Sequence, residues 1–152
     1  MDNQVSLILN LLDQSFDHKA WHGTNLKGAL RGMTAANAAW RPGVGRRNCW
    51  EIAVHCAYWK YAVWRRLVGA KRGSFSMKGS NWFAKPGTDV GLHAAWKADF
   101  ALLVNMHRQL REVIAKTAVT KGNIALLTGI AAHDLYHAGQ IQLLKRLRRT
   151  HA

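Results

Sequence analysis

The chain of 152 residues is poor in several features, and each shortage excludes a class of protein. It has only two prolines, so long stretches are free of the residue that most often breaks helices. No run approaches the roughly 20 apolar residues that cross a bilayer, and we expect no contact with a membrane. The N-terminal stretch lacks a basic n-region and its short apolar run is interrupted, so we do not expect a secretory signal peptide.

Cysteine is also scarce, with only Cys49 and Cys56 in the chain. The two residues fall in one predicted helix, where the helical rise separates their α-carbons by about 10 Å, too far for a disulfide bond. We therefore expect free thiols, which suit a reducing compartment, and a cytoplasmic protein.

Acidic residues are few: 8 Asp and Glu stand against 22 Lys and Arg, which gives a formal net charge of +14. The basic residues are spread along the chain, with one concentration at residues 145–149. Spread charge is typical of a solvated surface, and no recognition-helix pattern accompanies it, so nucleic acid is an allowed partner but not the favoured one. An anionic substrate or cofactor would suit the same surface.

Apolar residues recur at helical spacing in four long segments. The first carries the stripe Val5, Ile8, Leu12 and Phe16; the second runs from Arg47 or Asn48 to about Val68, the third from Asp89 or Val90 to Thr117, and the fourth from Gly122 or Asn123 to about Arg149. A short, broken helical region lies between Trp21 and Trp40, with Thr34 as a predicted N-cap.

Residues 69–88 are rich in Gly, Ser and Lys and predict a long connection, in which Phe75, Trp82 and Phe83 indicate packing against the helices. No segment alternates with strand period. The sequence therefore predicts an all-α fold, an antiparallel four-helix bundle with a long connection between its second and third helices, formed by residues 1–152 as a single domain.

The fourth predicted helix carries His133 and His137 in the segment HDLYH. Histidines at i and i+4 lie on one face with β-carbons about 6 Å apart, and such a pair can bind one ion with bonds of about 2.0–2.1 Å. They interrupt an apolar stripe, so we expect them to point into the bundle. His55, on the apolar side of the second predicted helix, is a third candidate ligand.

Three buried imidazoles need partners for their nitrogens, and a divalent ion would provide them. Three protein ligands with open positions are typical of catalytic metal sites, whereas closed structural sites normally have four. A bundle whose histidines only hydrogen-bond each other is the plain alternative.

Several other residues are candidate helpers. Gln140 lies on nearly the same face as His137 and can hydrogen-bond a ligand or a metal-bound water, or can only satisfy backbone groups. Asp134 can orient an imidazole or form a salt bridge with an arginine. Trp59, one turn beyond His55, is placed to form a pocket wall. His22 lies in a turn and can reach the pocket, or can cap a helix or shape the turn. We expect Cys56 to be a small buried hydrophobe and His107 to lie at the edge of the core.

The segments NCWEIAVHCAYW (48–59) and HDLYHAGQI (133–141), preceded by Trp21-His22-Gly23 and Trp40-Arg41-Pro42, resemble the DinB/YfiT-like superfamily. The resemblance covers nearly the whole chain. It implies a four-helix bundle in which one histidine of the second helix and two of the last hold a divalent metal, nickel or zinc. In this chain the implied ligands are His55, His133 and His137.

The same resemblance implies a homodimer and a metal-dependent enzyme, since characterised relatives include S-transferases and isomerases that use bacillithiol or mycothiol. A bound ion can make water or a thiol a nucleophile near neutral pH. We therefore predict a thiol-dependent S-transferase, or a related metal-assisted hydrolase, that acts on a small molecule. The alternative is a non-catalytic, metal-stabilised binding protein whose basic surface contacts nucleic acid or another acidic partner.

Overall fold

The computed structural model describes residues 3–87 and 91–152, which form six helices and no strand. The long helices are α1 (Asn3–Phe16), α4 (Cys49–Val68), α5 (Leu92–Ile114) and α6 (Ile124–Thr150), and the short ones are α2 (Leu26–Ala29) and α3 (Ala35–Ala39). The predicted all-α bundle is confirmed. The predicted start of the third long helix, Asp89 or Val90, lies outside the described residues.

Helix α4 carries His55, and its sequence sets both of its ends. At the start, the Asn48 side chain accepts a hydrogen bond from the backbone N–H of Glu51 at 2.8 Å, and the Glu51 carboxylate accepts one from the backbone N–H of Asn48. This reciprocal pair satisfies two donors that the helix itself leaves free. At the end, Gly69 has φ 68°, a left-handed conformation that glycine adopts without steric cost.

Helices α4 and α5 run in the same direction, which explains the long connection between them. Near their starts the rings of Trp50 and Trp96 are 5.4 Å apart, and near their ends Val63 packs in one apolar cluster with Leu110 and Ile114. The chain must therefore cross back along the bundle after α4 before α5 can begin.

Helices α1 and α6 run in the direction opposite to that of α4 and α5. The packed pairs α4–α6 and α1–α5 are therefore antiparallel. Cys49 at the start of α4 shares a small cavity with Lys145 near the end of α6, and Lys60 further along α4 pairs with Asp134 earlier in α6. The equivalent contacts between α1 and α5 are Phe16 with His107 and Asp13 with Arg111.

The connection between α4 and α5 packs on the bundle, as its aromatic residues predicted. Phe83 is buried, and Phe75 and Trp82 lie against the same apolar core. The hydroxyl group of Tyr61 on α4 accepts hydrogen bonds from the backbone N–H and the side chain of Ser74. None of the helices that the structure describes combines the length and apolar character needed to cross a membrane.

Candidate metal centre

The three candidate histidines of α4 and α6 meet with their Nε2 atoms together. His133 Nε2 lies 3.1 Å from His55 Nε2 and 3.2 Å from His137 Nε2. Metal–nitrogen bonds of about 2.0–2.1 Å place two nitrogens of one ion at most about 4.2 Å apart, so these separations are compatible with a single shared ion. The residues that the structure describes thus contain a three-histidine group able to hold a metal.

The protonation of the His55 ring is set by its second nitrogen. His55 Nδ1 lies 2.8 Å from the backbone carbonyl oxygen of Asn81. A carbonyl oxygen only accepts, so Nδ1 carries the hydrogen and Nε2 keeps its lone pair. The ring is also held by stacking on Trp82, with centroids 3.8 Å apart and planes at 9°.

The same argument applies to His137. Its Nδ1 lies 2.7 Å from Oε1 of Gln140, whose Nε2 donates to the Tyr136 hydroxyl at 3.2 Å. The hydrogen bond to Tyr136 is consistent with this orientation of the Gln140 amide, so Oε1 accepts from His137 Nδ1 and His137 Nε2 keeps its lone pair. Gln140 therefore supports His137, a contact that the sequence did not predict.

The three Nε2 atoms cannot satisfy each other with hydrogen bonds alone. Lone pairs of His55 and His137 both face His133 Nε2, and a single hydrogen on that atom can donate fully to only one of them. Burial lowers the pKa of His55 to about 4 and that of His133 to about 3, and it also lowers the pKa of His137. The rings are therefore neutral at pH 7, which is the form that binds metal.

Asp134 does not have the role expected from the sequence. Its Oδ2 accepts a hydrogen bond from Lys60 Nζ at 2.5 Å, and both side chains are fully buried. Asp134 thus neither orients an imidazole nor pairs with an arginine, because it lies about 100° around α6 from His133 and faces Lys60 on α4. Its Oδ1 has no hydrogen-bond partner among the described residues, and burial raises its pKa.

Cys56 lies beside this pair: its Sγ, a ring nitrogen of His133 and a carboxylate oxygen of Asp134 lie within 4.8 Å of one another. The thiol is completely buried, and burial raises its pKa well above the ordinary value. It therefore stays protonated at neutral pH, whereas a metal ligand or nucleophile must be a thiolate. This agrees with the expectation of a small buried hydrophobe.

Trp59 lies at the edge of the histidine cluster. Its ring centroid is 6.4 Å from that of His55 and 6.4 Å from that of His133, and its indole N–H donates to Oδ1 of Asn81 at 2.9 Å. His22 is exposed and is not part of the cluster. His107 is buried on α5, where it stacks on Phe16.

Two residues of the connection hold His55: sequence reasoning missed Asn81 altogether, and it predicted that Trp82 packs on the helices without predicting its contact with His55. Asn81 has φ 64°, a left-handed conformation that asparagine tolerates better than most side chains. Asparagine before tryptophan in a Gly- and Ser-rich stretch is the only local signal for this turn. No spacing rule relates Asn81 to His55, because the contact depends on how the connection folds back.

The end of the connection is fixed to α4 by a buried carboxylate. Arg41 donates to both carboxylate oxygens of Glu51, at 2.7 and 2.9 Å, and also to the backbone carbonyl of Lys85. The Asn48 side chain donates to the same Lys85 carbonyl at 2.8 Å. The Trp40-Arg41-Pro42 segment and the start of α4 are therefore joined to each other and to the connection.

The fold and the cluster together define a class, a helical bundle in which histidines of two helices form a candidate metal site. Comparison with protein families gives a match to the DinB superfamily over residues 19–141, and the chain belongs to this superfamily. The matched region contains all three histidines of the cluster. Comparison with curated proteins gives no significant match, and comparison with solved structures gives none either.

Proposed function

We propose that His55, His133 and His137 bind one divalent metal ion and that the protein is a metal-dependent enzyme. The observation that carries this proposal is the convergence of three Nε2 atoms in neutral rings, with the Nδ1 atoms of His55 and His137 already donating to acceptors. That arrangement leaves lone pairs facing one another, and a cation satisfies all of them. Second partners on Nδ1 are what metal-binding histidines normally have; His55 and His137 have them, whereas Nδ1 of His133 has none among the described residues.

Nickel and zinc are the ions we propose, because imidazole ligands suit both. Three protein ligands leave open coordination positions for a substrate. The bound ion would supply a Lewis acid that makes a thiol or water more acidic. The protein positions the rings: the Asn81 carbonyl and the Trp82 ring fix His55, and Gln140 fixes His137.

Thiol-dependent S-transfer is the reaction that we favour, with metal-assisted hydrolysis second. Hydrolytic metal sites commonly use a carboxylate as general base. The carboxylate near the cluster, Asp134, is paired with Lys60 and so is not placed to act as that base. The nearby thiol of Cys56 is buried and protonated, so it is not a nucleophile. The nucleophile in this proposal is therefore an external low-molecular-weight thiol that acts on a small-molecule electrophile, and the protein functions as a homodimer.

Metal analysis of the purified protein tests the ligand set. We expect a stoichiometric ion in the wild type, its loss in His133→Ala, and its retention in His22→Ala, which removes an exposed histidine from the same chain. Circular dichroism checks that both variants are helical. The absence of a bound ion from the wild type after incubation with nickel and with zinc would overturn the proposal.

An assay of thiol conjugation to electrophiles, with and without chelator, tests the activity. We expect the wild type to conjugate the thiol, to lose this activity in chelator and to regain it when metal is added. His137→Ala should be inactive. A protein that binds metal, conjugates no thiol and shifts DNA at physiological salt would support the binding-protein alternative instead. Sedimentation of the same samples tests the homodimer.

A further inference from the structure

An apolar groove between α4 and α6 begins at the ring of His133. Its volume is about 150 Å³, and its walls include Trp59 and Val63 of α4 and Leu126 and Ile130 of α6. An enclosed apolar cavity of this volume in an engineered lysozyme holds benzene, so this groove, which is open to solvent on one side, has room for a small ring or a short alkyl chain that stays partly exposed.

The far end of the groove carries a cation without a partner. Arg66 lines the groove, is exposed, and has no hydrogen bond or ion pair within the described parts of the chain. It follows His55 by eleven residues on α4, which returns it to the same face of the helix three turns further on. Since α6 runs antiparallel to α4, His133 and Arg66 lie toward opposite ends of the groove.

Among the residues that the structure describes, the surroundings of Arg66 add positive charge and no negative charge. The groove has no acidic lining residue in that part of the chain, and neither has a larger cavity of about 610 Å³ that Trp59 and Arg66 also line. That second cavity carries three more cations, Arg65, Arg72 and Lys78. An anion at Arg66 would therefore meet no repulsion from its immediate neighbours.

We infer that this groove is a substrate subsite for a small carboxylic acid with an apolar body. The carboxylate pairs with the Arg66 guanidinium, whose planar donors match two carboxylate oxygens, and the apolar body lies between Trp59 and Ile130. The other end of the molecule then faces His133. That last placement rests on the proposed function, whereas the groove and Arg66 do not depend on a bound ion.

Binding of phenylacetate, followed by NMR titration of the metal-free and the metal-loaded protein, tests the subsite. We expect phenylacetate to shift the indole N–H resonance of Trp59 in both forms. Arg66→Gln should weaken binding roughly tenfold or more, because a charge-assisted hydrogen bond is lost. Arg146→Gln removes the same charge from an exposed position outside the groove and should leave the affinity unchanged. Phenylacetamide, the neutral analogue, should bind wild type and Arg66→Gln equally weakly.

A pair of glycines on α6 provides a matched steric test. A β-carbon added at Gly129 or at Gly139 meets no atom within 4 Å, so both helical positions accept a side chain. Only Gly129 lines the groove. Gly129→Leu should abolish phenylacetate binding, and Gly139→Leu should preserve it. Wild-type affinity in Gly129→Leu or in Arg66→Gln would overturn the inference.

Metal content measured on the same variants separates the two proposals. Phenylacetate binding that depends on Arg66 and Gly129, in samples of which none binds an ion, would support the subsite inference and contradict the proposed function. If the ion binds and phenylacetate does not, the subsite inference alone is wrong.

Discussion

Histidine is buried in two regions of this bundle, and the two regions differ in what surrounds the ring nitrogens. In the cluster of α4 and α6, three Nε2 atoms face each other and the Nδ1 atoms of His55 and His137 have acceptors. On α5, His107 stacks on Phe16 with centroids 3.8 Å apart, and its Nδ1, like that of His133 in the cluster, has no hydrogen-bond partner among the described residues. Burial in an apolar stripe therefore does not distinguish a candidate metal site, whereas the convergence of ring nitrogens from several histidines does.

Lys60 lies between the two histidine regions and contacts both. Its ammonium group pairs with Asp134, the neighbour of His133, and lies 4.9 Å from the ring centroid of Phe16, on which His107 stacks. The positive charge of Lys60 is the largest contribution after burial to the lowered pKa of His107. It also contributes to the lowered pKa of His133, after burial and the two other histidines of the cluster. A change at Lys60 is therefore the strongest way to disturb the two regions at once.

We expect Lys60→Met to have the largest effect on stability. It leaves Asp134 fully buried without its partner, and removal of one member of a buried ion pair costs about 3–5 kcal/mol. Urea unfolding at pH 7 measures the loss. The double variant Lys60→Met with Asp134→Asn should recover part of it, because the unpaired charge is gone. A loss below about 1 kcal/mol in the single variant would show that the pair contributes little.

Asn81→Val tests whether the acceptor on Nδ1 of His55, a contact that His107 lacks, supports the cluster. A β-branched residue is strained at φ 64°, so the backbone carbonyl should move away from His55. We expect metal affinity to fall roughly 10- to 100-fold, as it does when such supporting contacts are lost elsewhere. Competition with a chelating dye measures the affinity.

Asn81→Gly is the matched control for that experiment. Glycine adopts a positive φ freely and keeps the carbonyl in place, while the hydrogen bond to Trp59 is lost. Metal affinity close to that of the wild type is expected. Equal losses in the two variants would mean that the side chain of Asn81, and not its carbonyl, supports the site.

The sequence predicted the helices and the three histidines well, but it did not predict the contacts that give them their environment. Helical periodicity located four long helices, and i, i+4 spacing with the family resemblance selected the cluster. The parallel direction of α4 and α5 could not be predicted, since periodicity carries no direction. The burial of Lys60 could not be predicted, because its partner, Asp134, lies 74 positions further along the chain.

His107→Phe should change the pH dependence of stability. Burial lowers the pKa of His107 to about 2, so the unfolded chain binds a proton between about pH 2 and 6.5 that the folded chain does not. The free energy of unfolding is therefore unaffected by His107 titration above pH 6.5, and it decreases as the pH falls below 6.5. Between pH 7 and pH 5 the variant should therefore lose about 2 kcal/mol less unfolding free energy than the wild type.

Urea titrations of both proteins at the two pH values, in chelator, check this difference. Metal-free protein is the correct reference, because the cluster histidines then make the same contribution in wild type and variant. Identical losses in the two proteins would show that His107 carries a proton in the folded state.

Gln140→Ala should have the smallest effect of the series. Gln140 accepts the His137 Nδ1 hydrogen at 2.7 Å, but it is only partly buried, so water can replace its oxygen after truncation. Asn81 holds His55 by its backbone carbonyl while its neighbour Trp82 stacks on the same ring, so a displaced connection removes two contacts from His55 at once. We therefore expect metal affinity to fall by at most about tenfold, the lower end of the range for a lost supporting contact. A greater loss than in Asn81→Val would reverse this ranking and make His137 the ring whose orientation controls the site.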